Sequence, residues 1–324
     1  MPSDPDTGAR LRSALDALAE GLAPRRAADA VARLMAAYRG GPTPTAAPVL
    51  RERADVVAYA AYRMPATFEA ARAALTAAAG HGPAPDSQLD IGGGTGAAVW
   101  AAQAVHGGSR RVTVLDWAAP ALDLGRELAA AHPALAGADF RAARIGPGLT
   151  PGPAGLVTVS YVLGELTEAD RAAVVDTAAA AATGAVVVVE PGSREGHARV
   201  LAARDRLMAA GLRIAAPCPH TAPCPLAGGA DWCHLSARVA RSSLHRRVKA
   251  GSLPYEDEKF SYVAAVRGEP GPAPARVIRR PRQRKGQVLL DVCKADGTVA
   301  AETVTKRQGE RYRRARDTAW GDPW

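Results

Sequence analysis

Hydrophobic spacing along the chain changes character near residue 86. Residues 9–40 and 48–80 are rich in Ala, Leu and Arg, with apolar positions at helical intervals, and the breaker GGPTPTAAP separates them. From SQLDIGGGTG onward, short apolar runs alternate with helical stretches. The runs at 87–91, 111–116, 139–145, 155–162 and 184–190 are predicted strands, and 97–106, 118–131, 167–182 and 194–210 are predicted helices. Such an alternation predicts a parallel sheet covered on both faces. LRIAAP (212–217) and KFSYVAAV (259–266) predict an antiparallel edge hairpin, with CPHTAPCPLAGGADWCH (218–234) inserted in its connection. After the Pro/Arg linker GEPGPAPARVIRRPRQRKG, the segment QVLLDVCKADGTVAAETVTKR predicts two strands around an Asp296-Gly297 turn. Three regions follow: a helical region at 1–85, an α/β domain at 86–267 with an insertion at 217–258, and a basic linker and hairpin at 268–324. There are no internal repeats.

Composition adds two constraints. With 48% hydrophobic residues in 324 the chain can bury a sizeable core, and 5% aromatics with many alanines predict helices packed through small side chains. No apolar run approaches the roughly 20 residues that span a bilayer. The start, MPSDPDTGAR, carries two early aspartates and no apolar segment, so no targeting peptide is expected and the expected compartment is the cytoplasm. Charge is uneven. Residues 236–324 hold 20 Lys and Arg against 10 Asp and Glu, a net of +10, whereas residues 1–235 hold 21 against 22. That asymmetry is expected of a polyanion-binding face; a solvated basic tail is the plainer alternative.

Candidate chemistry begins at LDIGGGTGAAVWAA, where Asp90, Gly92, Gly94 and Gly96 sit between the first strand and a helix. Missing Cβ atoms let the backbone approach a ligand, and the helix start offers free N–H groups. Three meanings compete. Gly92-x-Gly94-x-x-Ala97 fits a dinucleotide fingerprint, Asp90-x-Gly92-x-Gly94-x-Gly96 fits S-adenosylmethionine better, and a tight turn alone needs no ligand. In the second case Asp90 holds the methionine amino group and Asp116, ending the second strand, takes the ribose hydroxyls. No hydride-transfer site is apparent after residue 155. At the end of the fourth strand stands SYVLGEL, without the Asn/Asp-Pro-Pro-aromatic of amino-methylating enzymes and without a nucleophilic cysteine; Ser160, Tyr161 and Glu165 are polar and well placed, with no catalytic role assigned.

Three of the four cysteines fall in the insertion, spaced Cys218-x5-Cys224-x8-Cys233, and Cys293 lies far downstream. In a reducing compartment disulfides are not expected, and four thiolates complete a ligand set for tetrahedral zinc or a cubane iron–sulfur cluster. Wide loops and Cys-Pro steps favour the cluster. Buried free thiols are the alternative, and His220 and His234 are substitute zinc ligands. Closing the site from Cys293 would pin the C-terminal hairpin to the insertion.

RVARSSLHRRVK (238–249), RVIRRPRQRK (276–285) and KRQGERYRRAR (306–316) supply most of the positive charge. Arg279, Arg280, Arg282, Arg284, Lys285, Arg313 and Arg314 are the candidate RNA contacts, and Tyr255, Tyr262 and Tyr312 either stack on bases or pack.

The glycine block, SYVLGEL, VVVVEPGSREG, CPHTAPCPL, DWCHLSARVARSSLHRRVKAGSLPYEDEKFSYVA and RRPRQRKGQVLLDVC resemble the methyltransferase-like assembly factors of the small ribosomal subunit, over about residues 50 to 318. That family is known from mitochondria and has bacterial members. The resemblance implies a class I S-adenosylmethionine-type α/β fold, a doubly wound sheet with an N-terminal helical region and a cysteine-rich, basic C-terminal extension. It also implies association with small-subunit rRNA or a pre-ribosomal particle and a [4Fe–4S] cluster on Cys218, Cys224, Cys233 and Cys293. The methyl-donor loop carries over to Asp90, Gly92, Gly94 and Gly96. The expected function is an rRNA-binding assembly factor. The alternative is an active S-adenosylmethionine-dependent RNA methyltransferase with a structural cluster or zinc, and a zinc-stabilised dehydrogenase-like protein stands third. No oligomeric state is predicted.

Overall fold

A computed structural model describes residues 6–20, 22–39, 53–242, 253–271 and 274–324. The expected breaker at 40–48 and the basic residues 243–249 lie outside the described residues. Valine-rich runs with no polar face set the centre of the fold. β1 (Ser87–Ile91), β2 (Arg111–Asp116), β3 (Asp139–Ala142), β4 (Ala154–Ser160) and β5 (Ala182–Pro191) are parallel, in the order β3-β2-β1-β4-β5. The chain then adds β6 (Arg213–Ala216), β7 (Leu235–Ala240) and β8 (Tyr255–Val266). β8 runs antiparallel between β5 and β6, and β7 pairs with its N-terminal half. The expected hairpin therefore forms, with the cysteine stretch in its connection. β8 lies inside the sheet rather than at its edge.

Both faces are covered, as continuous apolar strands require. On one side α1 (Thr7–Glu20), α3 (Arg53–Ala78), α4 (Ala97–His106) and α5 (Ala119–Ala130) share a core in which Leu11, Leu75, Trp100 and Leu122 meet Val114 and Val187. The intervening α2 (Pro24–Arg39) packs Ala27, Ala30 and Val31 on Ala58, Ala61 and Tyr62 of α3. On the other side Val174 of α6 (Glu168–Ala181) and Val200 and Leu207 of α7 (Arg194–Ala209) pack on Val159 and Val188. Helix starts are marked locally: the Thr167 hydroxyl accepts the Asp170 N–H at 3.2 Å, and the Ser193 hydroxyl accepts that of Gly196 at 3.1 Å.

Two strands stop short of their expected ends. β3 ends at Ala142 ahead of the Gly146-Pro147-Gly148 turn, and β4 ends at Ser160 because Tyr161 adopts φ 59°, a left-handed conformation that turns the chain aside.

The C-terminal region is more ordered than a linker and a hairpin. β9 (Arg276–Val277), β10 (Arg282–Arg284), β11 (Gln287–Cys293) and β12 (Val299–Thr305) form a second antiparallel sheet, capped by α8 (Glu310–Asp317). Its small core joins Val277, Val288, Leu290, Val292, Val304 and Ala315, with Tyr312 and Trp324 packed against it. Part of the expected linker is thus strand. The expectation of a cysteine-rich extension is also corrected: this sheet holds one cysteine, Cys293, while the other three lie in the β6–β7 loop of the main sheet.

Candidate functional site

Where the parallel strand order reverses, between β1 and β4, their C-terminal ends open onto a cavity of about 530 Å³. Its wall includes Gly92, Gly94, Asp116, Trp117, Ser160, Tyr161 and Glu165. The loop between β1 and α4 is packed from below. At Gly93, which sequence reading did not single out, a Cβ would overlap Asp90 Oδ2 and stand 2.8 Å from Val114 Cγ1. Only glycine lets the backbone cross there.

The two aspartates of the motif differ in role. Asp90 is fully buried beneath Gly93 and is not among the cavity-lining residues; Thr158 donates to its Oδ1 at 2.7 Å, and Oδ2 has no partner among the described residues. Burial pushes its carboxyl up to about 7. Asp116 lines the cavity and accepts the N–H of Gly94 and of Ala118, each at 2.9 Å, which fixes its carboxylate at the rim. Beside it Trp117 is 38% exposed.

At the cavity wall Tyr161, noted in the sequence, joins two residues that sequence reading missed. Arg63 of α3 pairs with Glu258 of β8 at 3.0 and 3.4 Å, and the Tyr161 hydroxyl donates to Glu258 Oε1 at 3.0 Å. The Arg63 guanidinium also lies 5.7 Å from the centre of the Tyr161 ring. The one signal in the sequence was the acidic EDEK run, which reads alone as a solvated strand end. Glu190, one residue before the end of β5, is fully buried and receives Arg199 Nε at 2.6 Å and the Leu163 N–H at 3.1 Å. Glu165 is pushed up to about 8, chiefly by burial and then by the neighbouring Asp116 and Glu190 carboxylates.

A second cavity, of about 40 Å³, lies between α7, the β6–β7 loop and β11. Cys218, Cys224, Cys233 and Cys293 all line it, with His220, Arg204 and Arg276. Burial, then the neighbouring cysteines, holds Cys233 far above the ordinary thiol range and pushes Cys293 up to about 12. Burial also raises Cys218, against the opposing charge of Arg204. Arg204 is 2% exposed; it donates to the carbonyls of His220 at 3.1 Å and Ala222 at 2.9 Å, and its Nε has no partner among the described residues. The cysteines share a cavity, yet among the described residues no three His, Cys, Asp or Glu side chains stand in a geometry that holds a metal ion. His234 also lines this cavity, edge-on to the Trp320 ring with centroids 5.0 Å apart.

The basic candidates divide. Arg279 is a structural tie: it donates to Trp232 O at 3.0 Å and pairs with Asp231 at 2.5 Å, joining the second sheet to the cysteine loop. Arg282 reaches Asp291 at 3.4 Å, Arg313 reaches Glu310 at 3.8 Å, and Arg314 lies 5.0 Å from the Trp324 ring. Arg280, Arg284 and Lys285 are exposed, with no partner among the described residues. Of the tyrosines, Tyr262 is core at 4% exposure, Tyr312 packs on the second sheet, and Tyr255 is exposed under Arg238 at 4.1 Å.

Comparison with known proteins gives this architecture a context. The chain is 30% identical over 290 residues to the human (Homo sapiens) ribosome assembly protein METTL17, mitochondrial, covering 82% of this chain and 61% of that protein. It is 28% identical over 181 residues to the Rsm22-cox11 tandem protein 2, mitochondrial, of Schizosaccharomyces pombe, covering 43% of this chain and 24% of that one. The chain therefore spans about three fifths of the human protein and about a quarter of the fission-yeast one. Among solved structures, an S-adenosylmethionine-dependent methyltransferase from Aquifex aeolicus superposes with a TM-score of 0.41 at 12% identity, over 68% of this chain and 100% of that one. The family described as mitochondrial small ribosomal subunit Rsm22 matches residues 53–324, which takes in the larger cavity, the cysteine loop and the second sheet. This chain belongs to the Rsm22 family.

Proposed function

We propose that this chain is an assembly factor for the small ribosomal subunit, built on a methyltransferase-type fold, that grips ribosomal RNA with its second sheet and α8. The observation that carries this reading is the meeting of four cysteines in one cavity at the junction of the main sheet and the basic sheet. Four sulfur donors without a carboxylate suit a soft inorganic centre. Cys218, Cys224, Cys233 and Cys293 would hold a [4Fe–4S] cluster, with Arg204 and Arg276 offsetting the thiolate charge. With four protein ligands such a centre has no open iron, so what it supplies is attachment. Cys293 then ties β11 to the β6–β7 loop, and binding free energy stabilises a sheet whose own core is small.

The larger cavity falls within the range of about 300–1,000 Å³ usual for small-molecule sites. S-adenosylmethionine would be held there by the Gly92–Thr95 backbone ahead of α4 and by Asp116, which lines the cavity; Gly96, the α4 cap, is not on the wall. Asp90 supports the loop from beneath. When bound, the donor supplies an electrophilic methyl group. Arg280, Arg284 and Lys285, with Arg282, Arg313 and Arg314, are the phosphate contacts.

The partner is a ribosomal or pre-ribosomal particle. No described helix is long and apolar enough to cross a membrane. The cytoplasmic compartment expected from the sequence remains part of this proposal, whereas the relatives above are mitochondrial by name. Co-sedimentation with immature small subunits tests the reading: association that weakens in an Arg284→Ala, Lys285→Ala variant supports it, and wild-type protein that stays off the particles overturns it.

The polar wall formed by Ser160 and Glu165 favours a second reading, an active RNA methyltransferase. Methyl label on RNA, after incubating immature subunits with labelled donor, would favour the enzyme. Donor binding without product favours the scaffold.

A further inference from the structure

One carboxyl in the larger cavity has no protein counterpart. Asp116 is committed to two backbone N–H groups, and Glu258, close by, is committed to Arg63 and Tyr161. Glu165 lines the wall on the turn after β4, and no described residue donates to its carboxylate or pairs with it. On the same wall the Ser160 Oγ is buried and unpartnered among the described residues. A carboxyl on the cavity wall with nothing to bind is costly in the folded chain alone, and it becomes favourable when a ligand brings the matching charge. Asp90, the residue expected to meet the ligand's amino group, sits under the glycine loop and is not on the wall.

We propose that Glu165 receives the cationic methionine half of S-adenosylmethionine, the role the motif assigns to Asp90. The inference rests on the donor-cavity reading above. The charged groups around Glu165 define its response. Asp116 approaches from the end of β2, and Glu190 from near the end of β5 with Arg199 of α7 upon it. Arg171 of α6 is held at the carbonyl of Leu163, two residues before Glu165. Arg63, Arg144, Tyr161 and Asp170 also line the cavity, and Arg63 is neutralised by Glu258. Burial and two nearby carboxylates keep Glu165 protonated at neutral pH, at a value of about 8. A cation arriving at the carboxylate expels that proton.

The test is calorimetric binding of three probes to the full chain at pH 7, in buffers of different ionisation enthalpy. S-adenosylmethionine carries a sulfonium and an ammonium, S-adenosylhomocysteine only the ammonium, and methylthioadenosine neither. The expected result is release of close to one proton with S-adenosylmethionine and none with methylthioadenosine. S-adenosylhomocysteine assigns the contact, because proton release with it points to the ammonium and its absence to the sulfonium. Glu165→Gln, close to isosteric, is expected to weaken S-adenosylmethionine roughly tenfold or more, abolish the proton release, and leave methylthioadenosine unchanged. All probes binding without proton release, with the variant matching wild type, would overturn the role of Glu165 while leaving the donor cavity in place. No binding by any probe overturns both.

Discussion

Cys293 Sγ lies 3.4 Å from His220 Nε2, across 73 residues of chain. The contact joins the end of β11 to the β6–β7 loop, so two sheets with separate cores meet at a cysteine. Replacing Cys293 with Ser removes the one cysteine of residues 268–324. With the proposed cluster in place, the expected outcome is loss of iron together with faster proteolysis within residues 274–324, measured by metal analysis and limited digestion. Unchanged metal content and protease resistance would contradict the tie.

The Arg63–Glu258 pair makes a second test. Its side chains are 19% and 13% exposed, and the Tyr161 hydroxyl shares the Glu258 carboxylate. Removing one partner leaves a poorly solvated charge, so Arg63→Ala and Glu258→Gln are each expected to lower stability by about 2–3 kcal/mol, below the full value of a buried pair because both side chains are partly exposed. The double variant should cost less than the sum of the two. Urea denaturation of the three proteins measures this.

Stability should depend on pH through Asp90. Its folded value of about 7 stands above the ordinary 3.8, so the native state holds a proton that the unfolded chain has released. Stability therefore falls as pH rises from about 4 to about 7 and levels off above that. At about 1.4 kcal/mol per unit the loss is roughly 4 kcal/mol at most. Asp90→Asn keeps an acceptor for Thr158 and removes the titration, so its melting temperature should vary less over that range than the wild type's. Parallel profiles would contradict the assignment.

How far the sequence carried the reading follows from the kind of signal each element leaves. Buried parallel strands announce themselves, and RVTVLD matches β2 residue for residue. The cysteines could be grouped in advance because three of the four fall within sixteen residues, and the fold brings Cys293 to the same cavity. Arg63, Tyr161 and Glu258 could not, since they come from α3, the turn after β4 and β8, and nothing in local spacing relates them. The strands β9 and β10 were hidden for a different reason: the Pro and Arg content of 268–286 reads as linker, and pairing with β11 overrides it. The motif singled out Asp90, but only the fold reveals that it lies under Gly93 and off the cavity wall.

Gly93 itself is testable. Gly93→Ala must displace the Asp90 carboxylate or Val114, and overpacking of this kind costs about 1–3 kcal/mol. A lower melting temperature and weakened S-adenosylmethionine binding are expected together. A variant equal to wild type in both would mean that the loop has room to move.

Phosphate binding separates the arginines by role. Arg284→Ala and Lys285→Ala should each reduce the salt dependence of rRNA-fragment binding by about one unit of slope without altering stability. Arg279→Ala should lower stability, because its guanidinium joins Asp231 and Trp232 to the second sheet.

Anaerobic purification of the wild-type chain, followed by iron, zinc and acid-labile sulfide analysis, addresses the central claim most directly. A brown protein with iron and sulfide in equal amounts, lost when the four cysteines are replaced, is the predicted result. A colourless protein carrying zinc, or no metal at all, contradicts it.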